Sequence, residues 1–270
     1  MVVGVFDSGF GGLTVLKEII RTLPELDTVY LGDNARAPYG NRSGETITEF
    51  TKQGVDFLFK KGCGIVILAC TTASALALRR LQQEWLPTAY PDRRILGVVV
   101  PLVEKLIGLN GRGPCAIIGT RGTIESHVFE KECAKRSGVP VPLIESACPL
   151  LVPLIEEGWH TTSAARMILR SYLRPLKLKK PTSLLLGCTH YPILAKEIRG
   201  MMGPRTTVIE PGPIVAASLA SYLKRHPEIS SKLSRGGTLE CFTTDSNERI
   251  RSLAGRFWGA SLSFEKINLE

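Results

Sequence analysis

The stretch Ile65-Val66-Ile67-Leu68-Ala69-Cys70-Thr71 decides the fold, because a closely similar stretch returns at Ser183-Leu184-Leu185-Leu186-Gly187-Cys188-Thr189. Each is a short apolar run that ends in a small residue, a cysteine and a threonine. Short apolar runs of this kind are typical of buried strands. The repeat therefore predicts two similar halves, each with a strand that carries a cysteine at its carboxyl end.

Strand-like and helix-like segments alternate along most of the chain. Strands are predicted at Val2–Phe6, Thr28–Leu31, Ile65–Ala69, Ile95–Val99, Cys115–Ile118, Val141–Ile144, Ser183–Leu186, Thr207–Ile209 and Leu239–Thr243, and helices at Gly12–Arg21, Glu45–Lys60, Thr72–Glu84, Ser126–Arg136, Thr161–Leu173 and Ile214–Arg225. This alternation predicts an α/β protein with parallel sheets that helices cover on both faces. We expect two pseudo-symmetric domains, residues 1–97 with 209–270 and residues 98–208. In such sheets sites lie at the carboxyl ends of strands, so the cleft between the domains is the expected active site.

Composition and charge exclude several classes of protein. The chain has 270 residues, of which 44% are hydrophobic and 22% charged, as in folded soluble proteins. The net charge is +9, but the basic residues are dispersed and not interleaved with aromatic ones, so no nucleic-acid partner is expected. No apolar run approaches the ~18 residues of a membrane span. The start reaches a carboxylate at Asp7 without a basic segment, so no secretory signal is expected.

The cysteines indicate a reducing compartment and two working thiols. There are seven of them, an odd number without a Cys-x-x-Cys pair, which argues against disulfides and zinc and for the cytoplasm. Cys70 and Cys188 share one context at predicted helix N-termini, where the helix dipole favours a thiolate. A cysteine phosphatase is excluded, since Leu76 and Leu194 stand where its loop needs arginine. The remaining cysteines are expected to be structural: Cys63, Cys115, Cys133, Cys148 and Cys241.

Two further motifs accompany the thiols. Asp7-Ser8-Gly9-Phe10-Gly11-Gly12 follows the first strand, but it lacks the third glycine of a dinucleotide fingerprint. It is either a tight turn or a set of backbone N–H groups facing an anion, and the Asp7 carboxylate is well placed for proton chemistry. His190 stands two residues after Cys188, where it either modulates the thiol, binds a substrate carboxylate or caps a turn. No metal site is predicted, and His127, His160 and His226 carry no motif.

Taken together, the motifs resemble those of bacterial glutamate racemase, in the aspartate/glutamate racemase superfamily. The resemblance runs from residue 3 to about 226 and rests on Asp7-Ser8-Gly9, Gly32-Asp33-Asn34-Ala35-Arg36 with Pro38-Tyr39-Gly40, Ala69-Cys70 with Thr72-Ala73-Ser74, Cys148-Pro149-Leu150 leading to Glu156-Glu157-Gly158, and Gly187-Cys188-Thr189-His190-Tyr191-Pro192. It implies an isomerase without a cofactor, with its site between two α/β domains. It further implies a homodimer that supplies D-glutamate for peptidoglycan.

The resemblance also implies roles for individual residues. Racemisation removes a proton from one face of a carbon and returns one to the other, so two acid/base groups are needed. Cys70 would take the proton from D-glutamate and Cys188 from L-glutamate, assisted by Asp7, His190 and Glu156. Substrate-binding roles are implied for Ser8, Pro38, Tyr39, Gly40, Thr71, Thr72, Thr120, Thr123 and Thr189.

One residue departs from the family pattern. Thr71 stands where the family usually has asparagine, and a hydroxyl supplies one donor instead of the two of an amide. Two alternatives therefore stay open: a related racemase acting on aspartate or another amino acid, and a catalytically weakened relative with a binding or regulatory role. The matched pair of thiols favours an enzyme over a binding module.

Overall fold

The computed structural model describes residues 1–109, 113–138 and 141–269, with the backbone alone at 249–251. The apolar runs form two separate sheets, and every pairing among the described strands is parallel. The first sheet has the order β10-β9-β2-β1-β3-β4 and the second β6-β5-β7-β8. Their strands are β1 Val2–Asp7, β2 Thr28–Gly32, β3 Cys63–Leu68, β4 Arg94–Gly97, β5 Cys115–Gly119, β6 Leu143–Ala147, β7 Ser183–Gly187, β8 Thr207–Ile209, β9 Leu239–Thr243 and β10 Glu265–Lys266.

Helices connect successive strands in both sheets, as parallel pairing requires. They are α1 Leu13–Thr22, α2 Gly44–Lys60, α3 Thr71–Leu76, α4 Leu78–Arg80, α5 Leu86–Ala89, α6 Val99–Ile107, α7 Arg121–Glu125, α8 Val128–Ser137, α9 Leu151–Glu156, α10 Ser163–Leu178, α11 Ala195–Met202, α12 Pro211–Arg225, α13 Pro227–Ser230 and α14 Glu248–Trp258. The 3₁₀ turns are Asn34–Arg36, Tyr39–Asn41, Trp159–Thr161 and Tyr191–Leu194, and a π turn spans Leu81–Trp85.

The central strands of both sheets are buried on both faces. Strands β3 and β7 contain only buried residues. Continuous apolar runs are what such strands need, since a helix layer covers each face. Because all pairings are parallel, the carboxyl ends of the strands lie at one edge of each sheet.

Some predicted boundaries are wrong. The strand predicted at Ile95–Val99 ends at Gly97, and Val99 begins α6. The strand predicted at Val141–Ile144 lies later, at Leu143–Ala147. The helix predicted over Thr72–Glu84 is divided into α3, α4 and the π turn. That wide turn places Trp85 against Phe59 and Tyr90, with ring centroids 6.3 Å and 5.6 Å apart.

Several elements lie in segments for which no helix or strand was predicted. Helices α6, α11 and α14 and strand β10 belong to this group. The first sheet combines β1–β4 with β9 and β10 from the C-terminal segment, whereas the second contains β5–β8. Helix α12 packs against α1 on the way back to the first sheet.

Candidate active site

The two sheets present their carboxyl edges to one small cavity. Asp7 ends β1 and Cys70 follows β3, its neighbour in the first sheet, whereas Thr120 follows β5 and Cys188 follows β7 in the second. The cavity has a volume of about 20 Å³, and both Cys70 and Cys188 line it. One water molecule needs a cavity volume of about 10–15 Å³, so this cavity has room for about one. The cleft is therefore closed and must widen to admit an amino acid.

The cavity collects most of the residues that the sequence singles out. Its lining consists of Ser8, Ala37, Pro38, Tyr39, Gly40, Cys70, Thr71, Thr72, Thr120, Val152, Glu156, Cys188, Thr189 and His190. Two predicted site residues, Asp7 and Thr123, lie behind this lining and are fully buried. Conversely, two residues of the lining, Ala37 and Val152, were not predicted as site residues. An apolar residue in a loop or helix carries no chemical signal.

Cys70 is buried at the N-terminus of α3. Its Sγ accepts a hydrogen bond from the backbone N–H of Ala73 at 3.5 Å and donates to Ser8 Oγ at 3.4 Å. Burial raises the pKa of the thiol to about 12, and the negative charge of Asp7 acts in the same direction. The hydrogen bond from the Ala73 N–H lowers the pKa of Cys70, as expected at a helix N-terminus, but burial is the larger contribution. In this structure Cys70 holds its proton at neutral pH.

Cys188 has a different set of neighbours. It precedes a turn, and the helix expected after it begins at Tyr191 as the 3₁₀ helix Tyr191–Leu194, which leads into α11. Its Sγ lies 4.0 Å from His190 Nδ1, and His190 Nε2 lies 3.0 Å from Glu156 Oε1. Burial works against the charged imidazole, but the hydrogen bonds to Cys188 and Glu156 prevail and raise the pKa of His190 to about 10. The group Cys188–His190–Glu156 thus contains an imidazolium at neutral pH.

Asp7 connects the two thiol environments from behind. Its carboxylate accepts hydrogen bonds from the Gly9 N–H at 3.0 Å and from Thr189 Oγ1 at 3.4 Å. Burial raises the pKa of Asp7, although the nearby His190 charge and the hydrogen bonds oppose this. Asp7 therefore contacts the lining residue Thr189 from behind, and it does not itself line the closed cavity.

The glycines of the Asp7–Gly12 turn allow a very close approach of the two halves. A Cβ at Gly11 would lie 2.4 Å from both His190 Nδ1 and Thr189 Oγ1, and one at Gly12 would lie 2.5 Å from the Asp7 Cβ. Of the two interpretations of this turn, close packing accounts for both glycines. The sequence could not assign Gly11 a partner, because His190 is far away along the chain.

The Pro38-Tyr39-Gly40 loop is held by a buried carboxylate. Asp33 accepts hydrogen bonds from the Tyr39 hydroxyl at 2.5 Å, from Arg36 Nε at 2.7 Å and from Thr244 Oγ1 at 2.9 Å. A Cβ at Gly40 would lie 2.8 Å from the Thr120 side chain in the other half. Asp33 thus fixes one side of the cavity, a role that its place in a motif did not reveal.

Threonine hydroxyls connect the two halves at the cavity. Thr72 Oγ1 lies 2.9 Å from Thr120 Oγ1 and 3.2 Å from Thr123 Oγ1. Thr123 therefore lies behind the cavity lining, where its hydroxyl orients those of Thr72 and Thr120. By contrast, the Thr71 hydroxyl is buried and bonds to none of the described residues. It is an unused donor at the cavity surface.

The described part of the chain offers no group of three or more His, Cys, Asp or Glu residues that could hold a metal ion. In the same part, no helix is long and apolar enough to cross a membrane.

Two thiols line one cavity, each from a different sheet, as acid/base chemistry at both faces of a carbon atom would require. Residues 3–219 match the Asp/Glu/Hydantoin racemase family, and the chain belongs to that family. This confirms the family predicted from the motifs and makes the chain an isomerase.

Individual relatives agree with this assignment. A glutamate racemase from Paracoccus denitrificans is 40% identical over 277 residues, covering 98% of this chain and 99% of the relative. The crystal structure of a glutamate racemase isoform from Bacillus anthracis matches with a TM-score of 0.89 and 34% identity, covering 99% of this chain and 97% of that one. The crystal structure of a Francisella tularensis glutamate racemase in complex with D-glutamate matches with a TM-score of 0.88 and 30% identity. The match covers 100% of this chain and 98% of that one. These neighbours confirm the predicted α/β fold class.

Gly11→Ala tests the close approach of the two halves. The added methyl group would displace His190 and Thr189, and overpacking of this kind costs roughly 1–3 kcal/mol. Because the displaced His190 and Thr189 line the cavity beside Cys188, racemase activity should fall about tenfold or more. Gly44→Ala is the matched control, because nothing lies within 4 Å of a Cβ at Gly44. Full activity in Gly11→Ala would contradict the close packing of Gly11 against His190 and Thr189.

Proposed function

We propose that the protein is a glutamate racemase that interconverts L- and D-glutamate with two cysteines and without a cofactor, supplying D-glutamate for peptidoglycan synthesis. The observation that carries the proposal is the presence of Cys70 and Cys188 on the lining of one cavity, each from a different sheet. The substrates of the relatives support glutamate.

The surroundings of the two thiols suggest which one starts as the base. Cys70 holds its proton, since burial raises its pKa to about 12. The Cys188 sulfur lies 4.0 Å from Nδ1 of His190, whose other ring nitrogen bonds to Glu156, and we assign Cys188 the role of the first base on this geometry. With L-glutamate, Cys188 removes the α-proton, and the Cys70 thiol delivers its proton to the opposite face. The sulfurs then hold the reverse state, which suits D-glutamate.

Neutral donors are proposed to hold the substrate. The hydroxyls of Ser8, Thr72, Thr120 and Thr189 line the cavity, together with Thr71 and the loop Pro38-Tyr39-Gly40. Neither lysine nor arginine contributes to this lining. Hydrogen bonds to a charged group are worth about 1.5–3 kcal/mol each, so several hydroxyls can bind a dianion and still release it. Positioning by these donors would also stabilise the charge that develops at the α-carboxylate.

We also propose the organisation that the sequence predicts. Residues 1–97 with 209–270 form one domain and residues 98–208 the other, in a cytoplasmic homodimer. The partner is a small-molecule substrate and not a nucleic acid. The distribution of the strands between the two sheets supports the division into domains.

Isotope exchange is the direct test of the activity. The protein is incubated with L- or D-glutamate in deuterated water, and optical rotation and Cα deuterium are followed together. Both enantiomers should lose optical rotation while deuterium enters Cα. Absence of exchange from either enantiomer would overturn the proposal. If glutamate is inert but aspartate is turned over, the protein is a racemase of different specificity.

Cys70→Ser and Cys188→Ser test the two-thiol mechanism. Each variant should lose net racemisation by at least a thousandfold, because one face of the carbon has no acid/base group of suitable strength. Cys241→Ser is the matched control, since Cys241 is buried in β9 away from the cavity lining. A single variant at Cys70 or Cys188 that racemises at the wild-type rate would refute this mechanism.

Thr71→Val tests the unused hydroxyl. Valine has nearly the same shape and removes a buried donor without a partner in the free protein, so the melting temperature should stay equal or rise. The KM for glutamate should rise about tenfold or more, because the hydroxyl is proposed to donate to the substrate. Thr71→Ser, which keeps the donor, should retain a KM near that of the wild type. An unchanged KM in Thr71→Val would show that the hydroxyl does not contact the substrate.

A further inference from the structure

Helix α14 reaches the histidine of the active site from the C-terminal segment. The helix packs against α1 of the first half. Its residue Phe257 is buried, and its ring meets His190 edge-on, with centroids 5.0 Å apart and the ring planes at 81°. Gly11 approaches the same imidazole closely, as described above. The His190 ring is therefore enclosed by two residues of the first half while its Nε2 bonds to Glu156 of the second.

The neighbouring residue on α14 contacts the other partner of this hydrogen bond. Arg256 Nη1 donates to the carbonyl oxygens of Ile155 and Glu156, both at 3.2 Å. These carbonyls lie in the last turn of α9, where helix carbonyls lack partners and a cation is favoured. Gly158 makes the contact possible: its φ is +76°, and a Cβ there would lie 2.8 Å from the guanidinium.

We propose that Arg256 and Phe257 are positioning residues for the second acid/base group, in which Phe257 orients the His190 ring and Arg256 holds the end of α9 that carries Glu156. This inference rests on the proposed function. Two consecutive side chains of α14 thus secure the two ends of the His190–Glu156 hydrogen bond. Neither side chain lines the cavity, so they act through His190 and Glu156 and not on the substrate.

A positioning role for Arg256 and Phe257 predicts a kinetic effect on one proton-transfer step, which a contribution to stability alone would not produce. A loosened His190 would raise the barrier for proton transfer at Cys188 and leave transfer at Cys70 unchanged. The two free enantiomers have equal free energy, so kcat/KM must fall equally in both directions. Deuterium at Cα separates the two steps, because L-[2-²H]glutamate transfers it to Cys188 and D-[2-²H]glutamate to Cys70.

Phe257→Leu is the first test variant, because it keeps buried apolar volume and removes the ring. We expect kcat/KM to fall roughly tenfold in each direction, as misplaced catalytic groups commonly cost this much or more. The isotope effect on kcat/KM should rise with L-[2-²H]glutamate and fall towards 1 with D-[2-²H]glutamate. Phe257→Tyr, which keeps the ring, should restore both values.

Arg256→Met is the second test variant, and it tests the same positioning role even if Phe257→Leu fails to fold. Arg256 is exposed, so its replacement should fold, and methionine keeps most of the stem while removing the donors. The two isotope effects should again move in opposite directions. Leu253→Ala is the control on the same helix: it removes packing against the core and should lower the melting temperature while leaving both isotope effects unchanged.

A measurement without substrate separates this inference from the proposed function. The chain has four histidines, so the Nε2 proton of His190 can be assigned by NMR with a His190→Asn variant. Its exchange with solvent should speed up at least tenfold in Phe257→Leu and Arg256→Met and stay unchanged in Leu253→Ala. Unchanged exchange in both test variants, or isotope effects that move together, would overturn the positioning role. A wild-type protein that racemises no glutamate would instead overturn the proposed function.

Discussion

The contact between the Asp7–Gly12 turn and the segment Cys188-Thr189-His190 is the interaction on which the rest of the site depends. At this point the carboxyl ends of two different sheets approach closely enough that a single methyl group at Gly11 would not fit. Hydrogen bonds from Thr189 Oγ1 to Asp7 and from Thr14 Oγ1 to the Thr189 carbonyl, at 3.4 Å and 3.1 Å, fix the contact. The closed cavity, the enclosure of His190 and the meeting of the threonine hydroxyls all require the two halves to lie this close together.

The fold is nearly symmetric around the cavity, but the chemistry is not. Each half supplies a strand that ends in a cysteine and a threonine, so the two sulfurs reach the cavity from equivalent places. Cys70 lies among a serine hydroxyl, a backbone N–H and the buried Asp7, whereas Cys188 lies beside the His190–Glu156 pair. In the proposed mechanism one sulfur acts as acid while the other acts as base, and the two sulfurs have different neighbours before a substrate arrives.

The sequence allowed the strand ends to be predicted, and with them most of the cavity. Apolar runs such as Ile65–Ala69 are local signals, and parallel topology brings their ends together without further information. The protonation of Cys70 could not be predicted, because burial depends on the complete fold and here it outweighs the helix N-terminus. The contacts of Gly11 and Arg256 could not be predicted either. Gly11 lies against a side chain of the other half, and Arg256 donates to carbonyls of a helix that is distant in sequence. Thr123 was predicted at the cavity, but a local motif does not show which of several neighbouring hydroxyls faces inward.

The small volume of the cavity, about 20 Å³, has a consequence for repeated turnover. In the protein without substrate the cavity has room for about one water molecule, so the two sulfurs exchange protons with bulk solvent only when the cleft opens. After one conversion from L to D by the proposed mechanism, the protein is left in the form that accepts the D enantiomer. A second L molecule must wait until the two sulfurs have exchanged their proton through water. Opening of the cleft therefore serves both the release of product and the return of the two sulfurs to their starting protonation states. At high substrate concentration, that return would set the upper limit of the rate.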